Sequence, residues 1–302
     1  MTGPQAVGIF GLGLIGQAAA ARLLAQGVRV LGHDPMPDRC AALAAIGGEI
    51  AEPGALWAVG TVLIAVFDAT QAQQVIDTAP PASGALALLH ATCAPEAAEA
   101  LERRAEARGL HLVEAPVSGT SGQLRRGEAT LFLAGRVEAV ARAAPVGALI
   151  GRRVIPVGQA GNGARVKLAV NLVLGLNRAA LAEGLVLAEA MGIDAATALG
   201  LFRDSAAQSA VMEVKGRRMV EGDFSPEGRI AQSAKDFALI LSGAQAVGQE
   251  LPFASTYAAM MADCMSAGEG GLDNAAIIAA LRRRRRSPAE PPMLAKPLKV
   301  PN

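Results

Sequence analysis

The fold is decided by one stretch near the start of the chain, Ala6-Val7-Gly8-Ile9-Phe10-Gly11-Leu12-Gly13-Leu14-Ile15-Gly16. Its first five residues are mostly apolar and predict a buried strand, and residues 14–26 predict a helix. Strand and helix enclose the pattern G-x-G-x-x-G, whose positions are filled by Gly11, Leu12, Gly13, Leu14, Ile15 and Gly16. In this pattern the glycines allow a tight turn, close approach of a pyrophosphate and close packing of helix on strand. We therefore expect a dinucleotide to bind here, although a glycine-rich turn without a ligand would show the same residues.

A carboxylate follows the next predicted strand, at the position expected for an acid that binds ribose. Asp34 lies 18 positions after Gly16, close to the spacing of about 20 residues typical of this motif. Such a carboxylate accepts hydrogen bonds from the ribose of NAD and repels the 2′-phosphate of NADP. The next residue is Pro35 rather than a neutralising arginine, so we expect NAD. NADP stays possible because Arg39 lies one helical turn on, and Asp34 could instead cap a helix that begins at Pro35.

The first half of the chain alternates strand-like and helix-like segments, which is typical of a parallel sheet covered by helices. Its apolar runs barely alternate with polar residues, as expected of strands buried on both faces. Further strands are predicted at residues 28–33, 61–67, 86–90, 111–115, 128–135 and 152–157. Helices are predicted at residues 95–108 and between the last two strands.

The second half carries helical patterns only. Helices are predicted at residues 164–191, 193–202, 207–220, 229–247, 252–267 and 273–286. We therefore predict an α/β Rossmann-type N-terminal domain, residues 1–163, followed by an all-α substrate and dimerisation domain, residues 164–286. Residues 287–302 are rich in proline and lack periodicity, which predicts a disordered tail.

Composition limits the partners that this chain can have. Its 302 residues carry a formal net charge of +1 and only 3% aromatic residues, which favours a small-molecule partner over nucleic acid or an anionic membrane. The three cysteines are far apart and form no C-x-x-C pair, so we expect no metal site and a reducing cytoplasm. Neither a signal peptide nor a membrane anchor is predicted, because charges interrupt the apolar stretches.

Lys167 and Asn171 form a second candidate site, near the start of the long predicted helix. They are four residues apart, so both side chains project from one helical face. An ammonium and an amide placed in this way can converge on one substrate oxygen. A solvated surface lysine is the alternative for Lys167 taken alone.

Four separated motifs together resemble the β-hydroxyacid dehydrogenase family, which includes 3-hydroxyisobutyrate dehydrogenase and tartronate semialdehyde reductase. The resemblance covers residues 6–285. In chain order the motifs are the glycine loop, Glu114-Ala115-Pro116-Val117-Ser118-Gly119-Thr120, the stretch from Gly161 through Lys167 to Asn171, and Lys235-Asp236. The resemblance implies hydride transfer between a nicotinamide cofactor and a small β-hydroxyacid or its semialdehyde, in a homodimer or homotetramer.

The resemblance also implies roles for single residues. Lys167 is implied as the catalytic acid/base, and Asn171 as the residue that orients the substrate. Ser118 and Gly119, with Thr120 beside them, are implied to hold the substrate carboxylate. Lys235 is implied to lie at the cofactor and substrate cleft, although an exposed helix lysine would show the same residue. With the glycine loop, Asp34 and Thr92 it completes the predicted cofactor-binding residues.

The chain departs from the family pattern at three places. Glu114 replaces the usual Asp, which we expect to matter little. His90-Ala91-Thr92 stands where Asp-x-Ser-Thr is usual, so only Thr92 is retained. Thr120 replaces a glycine, and its β-branched side chain is expected to take up space near the substrate carboxylate.

Two other classes of protein compete with this interpretation. Imine reductases share the architecture and the cofactor loop, but they generally place another residue where Lys167 stands. A non-catalytic protein that binds a dinucleotide or nucleic acid is suggested by the five arginines at residues 282–286. Such a run is also typical of a solvated helix end, where cations suit the helix dipole. We expect the three histidines to be core or strand-end residues: His33, His90 and His111.

Overall fold

A computed structural model describes residues 4–284. It contains one mixed sheet of nine strands within that range. The strands are β1 (Ala6–Phe10), β2 (Arg29–His33), β3 (Glu49–Ile50), β4 (Thr61–Ile64), β5 (Leu86–Leu89), β6 (His111–Glu114), β7 (Val117–Ser118), β8 (Thr130–Ala134) and β9 (Arg153–Gly158). Their order across the sheet is β3-β2-β1-β4-β5-β6-β8-β7, with β9 also paired to β8.

Seven helices connect these strands. They are α1 (Leu14–Ala25), α2 (Pro37–Ala45), α3 (Pro53–Ala58), α4 (Ala69–Asp77), α5 (Pro95–Ala107), α6 (Ser121–Arg125) and α7 (Val137–Ile150). The central strands bury both faces, as predicted: Leu63 belongs to one apolar core, whereas its neighbours Val62 and Ile64 belong to the core on the opposite face. This explains why the strand sequences barely alternate between apolar and polar residues.

The prediction of a parallel sheet is wrong at one edge. Strand β8 pairs antiparallel with β6 and β7, while β8 and β9 are parallel. Only 11 residues separate Ser118 from Thr130, which is short for the crossover of a dozen or more residues that a parallel pair requires. The chain therefore turns back through the five-residue helix α6.

The strand predicted at residues 61–67 ends early, at Ile64. The Asp68 carboxylate accepts a hydrogen bond from the Gln71 backbone at 2.9 Å and thereby caps α4. The residues just before Asp68 form the turn that leads into this cap. A capped helix start thus replaces the predicted strand end.

The second half is helical, as predicted. Its helices are α8 (Asn162–Ala190), α9 (Ala195–Arg203), α10 (Arg217–Glu221), α11 (Ile230–Ala246), α12 (Pro252–Ser266) and α13 (Ile277–Arg283). The central α8 packs against α11, α12 and α13 and also contacts α5 and β8 of the first half. It is the one helix of residues 4–284 that is long and apolar enough to cross a membrane, by length and composition alone. The predicted boundary between residues 163 and 164 falls in its first turn.

Two predicted helices of this half are interrupted. Within residues 207–220 the chain forms a wide π-turn, Met212–Gly216, before α10. This turn carries Lys215, which pairs with Asp273 at 2.7 Å inside the domain. Asp273 in turn caps a short 3-10 segment, Asn274–Ala276, so α13 begins only at Ile277. The predicted end of that helix at residue 286 and the predicted tail lie outside the described residues.

Candidate active site

A cleft of about 1000 Å³ lies between the carboxyl ends of the parallel strands and helices α8 and α11. Ligands of open α/β sheets bind at this edge. Eleven of the predicted site residues line the cleft: Gly11, Gly13, Leu14, Ile15, Asp34, Thr92, Ser118, Gly119, Thr120, Lys167 and Asn171. Three do not line it: Leu12, Gly16 and Lys235.

The glycine loop has the geometry that a dinucleotide phosphate requires. Gly11 adopts a left-handed φ of 88°, and its backbone N–H donates to the His33 carbonyl at 2.9 Å. A Cβ on Gly16 would lie 1.9 Å from the Gly11 carbonyl oxygen, so only glycine fits there. A Cβ on Gly13 would meet no atom within 4 Å, and α1 begins there without a side-chain cap. The open helix start, with its N–H groups, suits a pyrophosphate.

Asp34 is held firmly beside this loop, and its side chain is only 2% exposed. Its carboxylate accepts hydrogen bonds from the backbone of Leu12 at 2.7 Å and of Met36 at 2.9 Å. The Arg39 guanidinium lies 3.2 Å away. Met36, not Asp34, is the N-cap of α2, so the capping alternative for Asp34 is wrong. Leu12 reaches the site only through its backbone, since its side chain is buried in the core.

Lys167 is buried in the cleft, with 8% of its surface exposed. Burial lowers the pKa of its ammonium to about 8, and the positive charges of Lys235 and Arg178 act in the same direction. The carboxylate of Asp236 opposes this shift. Lys167 forms no salt bridge with any residue in the described range. A lysine in this state exchanges a proton near neutral pH.

Asn171 and Lys235 are joined by Asp236, a buried carboxylate on α11. The Asn171 amide donates to Asp236 Oδ2 at 2.8 Å, and the Lys235 ammonium lies 3.1 Å from Asp236 Oδ1. Lys235 also donates to the Thr92 carbonyl at 2.6 Å, which ties α11 to the loop after β5. Sequence reasoning assigned no role to Asp236, although the Lys235-Asp236 motif contained it.

The loop after β7 brings Ser118, Gly119 and Thr120 into the cleft. Thr120 is the N-cap of α6: its hydroxyl oxygen accepts from the Gln123 backbone at 3.2 Å. In return, the Thr120 backbone donates to the Gln123 side chain at 2.9 Å, which completes a capping box. The hydroxyl is thus oriented by the helix, and the residue also lines the cleft.

Glu114 links the two halves of the chain. Its carboxylate oxygens accept from the backbone of Gly161 at 2.5 Å and of Ala164 at 2.7 Å, at the start of α8. Burial raises the pKa of Glu114 to about 7, against the effect of these two hydrogen bonds. The contact fixes the direction in which α8 leaves the sheet, and hence the position of Lys167.

His90 is the histidine that follows β5. It lines the cleft and is buried, and its Nδ1 lies 2.6 Å from the Ala115 carbonyl. Burial lowers the pKa of His90 to about 4, although the hydrogen bond to Ala115 opposes the shift. The imidazole is therefore neutral, with Nδ1 as the donor, and it is not an acid/base at neutral pH.

Further cations line the end of the cleft that lies among the helices, and sequence reasoning missed them. Arg178 and Lys215 both line this end. The sequence spacing could have indicated Arg178, because positions 167, 171, 174 and 178 recur at the period of one helical face. All four of these residues of α8 line the cleft.

The arginine run meets acids of the chain itself. Each described member pairs with a carboxylate: Arg282 with Glu189, Arg283 with Glu269, and Arg284 with Asp263. The remaining two arginines lie outside the described residues. Within residues 4–284 no group of three His, Cys, Asp or Glu side chains is placed to hold a metal ion.

Fold and cleft together define the class of protein: an NAD(P)-dependent oxidoreductase with a Rossmann-type sheet and a helical second half. The family described as the NAD binding domain of 6-phosphogluconate dehydrogenase matches residues 6–158. The family described as NAD-binding of NADP-dependent 3-hydroxyisobutyrate dehydrogenase matches residues 161–281. The chain belongs to the β-hydroxyacid dehydrogenase family. It is therefore an enzyme that acts on CH–OH groups with NAD or NADP.

Individual relatives agree with this assignment. An L-threonate dehydrogenase from Cupriavidus necator is 32% identical over 90% of this chain and 94% of its own length. The crystal structure of a 3-hydroxyisobutyrate dehydrogenase from Salmonella typhimurium superposes with a TM-score of 0.82 at 30% identity, covering 91% of this chain and 99% of that one. An imine reductase from Pseudomonas sp. shares the fold at a TM-score of 0.64 and 20% identity, covering 93% and 100%. The imine reductase is the more distant of these, so the dehydrogenase interpretation is favoured.

Proposed function

We propose that the cleft transfers a hydride between NAD and a small β-hydroxyacid or its semialdehyde, with Lys167 as the acid/base. The observation that carries this proposal is the burial of Lys167 in the cleft that also contains the glycine loop and the Ser118–Thr120 loop. A buried lysine with a lowered pKa, next to a dinucleotide site, is suited to moving a hydroxyl proton.

The cofactor is proposed to bind along the sheet edge. The glycine loop and the start of α1 hold its pyrophosphate, and Asp34 accepts hydrogen bonds from its ribose. Each carboxylate oxygen has two acceptor positions. One on each oxygen is used by the backbone of Leu12 or Met36 and the other faces Arg39, so the ribose hydroxyls are proposed to displace the Arg39 guanidinium. Lys235 on α11 and Thr92 on the loop after β5 are joined by a hydrogen bond and are proposed to order the nicotinamide end. When bound, the nicotinamide supplies the hydride acceptor in oxidation and the donor in reduction.

The substrate is proposed to lie between the Ser118–Thr120 loop and α8. The Ser118 hydroxyl and the backbone N–H groups beside it hold the carboxylate. Asn171 orients the substrate hydroxyl. One N–H of its amide donates to Asp236, and the second N–H is left to donate to the substrate oxygen, whose proton faces Lys167.

Proton transfer is proposed to run through the Lys167 Nζ atom. In oxidation the neutral amine accepts the hydroxyl proton as the C–H bond breaks, and in reduction the ammonium returns it. With a pKa near 8, about a tenth of Lys167 is neutral at pH 7 by ordinary titration. Both protonation states are therefore present, which allows the reaction to run in both directions.

Assembly and location are proposed from exposed apolar side chains and from the state of the cysteines. We propose a homodimer or homotetramer, supported by large apolar side chains exposed on the helical half: Val173, Leu187 and Phe253. The three cysteines are free thiols, which suits a cytoplasmic location. The proposed units are residues 1–163 for the cofactor and residues 164–286 for the substrate.

A substrate panel tests the proposal. β-Hydroxyacids including L-threonate, the corresponding semialdehydes, and cyclic imines are assayed by nicotinamide absorbance with each cofactor. Turnover of a carboxylate-bearing alcohol supports the proposal. Turnover of cyclic imines alone would assign the cleft to imine reduction, and no turnover of any compound would indicate a non-catalytic binding protein.

A further inference from the structure

Arg178 lies at the inner end of the cleft, on the same face of α8 as Lys167. Arg178 lies 11 positions after Lys167, which is about 16 Å along the axis at 1.5 Å per residue. Long side chains in a helix lean toward its N-terminus. The Arg178 side chain lines the same cleft as Lys167, and its charge is near enough to help lower the pKa of the Lys167 ammonium.

The guanidinium is held in place by an aromatic pair. Arg178 Nη1 donates to the phenolic oxygen of Tyr257 at 2.6 Å. Tyr257 is 1% exposed and packs against Phe237 with ring centroids 4.3 Å apart. A Cβ on Gly175 would lie 2.4 Å from the Phe237 ring. The glycine at this position of α8 therefore leaves room for the aromatic pair. Arg178 is thus a positioned cation.

Arg178 has no acidic partner within the described chain, unlike Lys215 and Lys235. Lys215 is paired with Asp273 at 2.7 Å, and Lys235 with Asp236 at 3.1 Å. The Arg178 Nε atom is buried without a hydrogen-bond partner among these residues. Its charge also contributes, after burial, to the lowered pKa of both Lys167 and Lys215. A partly buried cation without an acid is costly until an anion joins it.

We propose that Arg178 binds a second carboxylate of the substrate, so that the preferred substrates are β-hydroxy derivatives of dicarboxylic acids or their semialdehydes. This inference rests on the proposed function, since it extends the same substrate site inward. The first carboxylate lies at Ser118, the reacting carbon lies near Lys167, and the second carboxylate meets the guanidinium. Arginine suits this role because its planar fork matches a carboxylate and keeps its charge.

The test uses β-hydroxyacids of the form HOCH₂–CH(R)–COO⁻, in which R is methyl, propyl, carboxymethyl or carboxyethyl. We expect higher kcat/KM for the carboxyalkyl compounds than for the alkyl ones. In Arg178→Gln this ratio should fall by about 10- to 100-fold, as expected for the loss of a charge-assisted hydrogen bond. Arg178→Lys should retain part of the ratio. The matched control is Arg229→Gln, which removes an exposed arginine that lines the same cleft and should leave the ratio unchanged.

A second readout does not depend on turnover. Glutarate and butyrate are titrated calorimetrically into the protein saturated with NAD. We expect glutarate to bind more tightly than butyrate, and Arg178→Gln to abolish the difference. Equal binding of the two acids to the unmodified protein would overturn the inference, as would an equal loss for all four substrates in Arg178→Gln. Failure of the proposed function has a different signature: no hydroxyacid is turned over at all, while calorimetry still decides whether a carboxylate binds at Arg178.

Discussion

The Asn171 amide donates a 2.8 Å hydrogen bond to the Asp236 carboxylate, which joins the long helix α8 to α11 across the cleft. The same carboxylate contacts the Lys235 ammonium and the Gln232 amide. Through this one side chain, Asn171, proposed to orient the substrate, is coupled to Lys235, proposed to order the cofactor. Asp236 also opposes the lowering of the pKa of Lys167, so its charge sets the proton affinity of the proposed acid/base.

Asp236→Asn should therefore shift the pH dependence of oxidation. Removing the negative charge lowers the pKa of Lys167 below about 8, because the ammonium loses its stabilising neighbour and Lys235 then acts unopposed. The acid limb of the kcat/KM profile should move to lower pH. Gln232→Leu is the matched control, since it removes a neighbour of Asp236 without removing the charge. A profile that does not move in Asp236→Asn would place Asp236 outside the proton chemistry.

The unmodified enzyme should show opposite pH profiles in the two directions. Oxidation requires the neutral amine of Lys167, so its rate should rise with pH and level off above about 8. Reduction requires the ammonium, so its rate should fall over the same range. Initial rates from pH 6 to 10 in both directions measure this. Profiles that rise or fall together would contradict a single lysine as the proton carrier.

Cofactor choice should depend on Asp34. We expect better kcat/KM with NAD than with NADP, and Asp34→Asn should narrow the preference because it removes the charge that repels a 2′-phosphate. Asparagine keeps an acceptor for the backbone of Leu12 or Met36, which limits damage to the loop. Arg39→Gln is the companion variant, and it should leave NAD turnover nearly unchanged. Better turnover of NADP by the unmodified enzyme would show that Arg39, freed from Asp34, binds the phosphate.

Thr120 should restrict the substrate near its carboxylate. Thr120→Gly removes the methyl and the hydroxyl, so bulkier C2 substituents should be accepted better, while the loss of the cap costs only a few tenths of a kcal/mol. Thr120→Ser keeps the capping oxygen and removes only the methyl, and thus separates the two effects. The relative kcat/KM for a series of C2 substituents measures this. If the series is the same in all three proteins, Thr120 does not contact the substrate.

Sequence patterns predicted the elements that are long or strongly apolar. Local sequence patterns were sufficient to predict three of them: the glycine loop, the strand that ends at Phe10 and the long helix α8. Short elements were missed: α3 has six residues and α6 has five, too few for a helical period to be visible. The reversal of β8 was missed because it pairs with β7, a strand of two residues that is too short to be predicted from a pattern.

The residues of the candidate site likewise include some that the sequence predicts and some that it does not. Lys167 and Asn171 could be found from their spacing together with the family resemblance. Asp236, Glu114 and Arg178 owe their importance to contacts between residues 47 or more positions apart, such as the bond from Gly161 to Glu114. A single sequence contains no periodic signal for such contacts. Only the fold brings their partners together.

The role of Lys167 as the acid/base is tested most directly by kcat together with the cofactor Kd for Lys167→Ala and Lys167→Arg. Positioned acid–base catalysis contributes about 10²- to 10⁴-fold, so Lys167→Ala should lose kcat by that factor. Lys167→Arg should lose nearly as much, because a guanidinium does not give up its proton. In both variants the Kd for NAD should stay within about twofold, since the proposed pyrophosphate site is the glycine loop. Near-normal kcat in either variant would contradict this role and show that Lys167 does not transfer the proton.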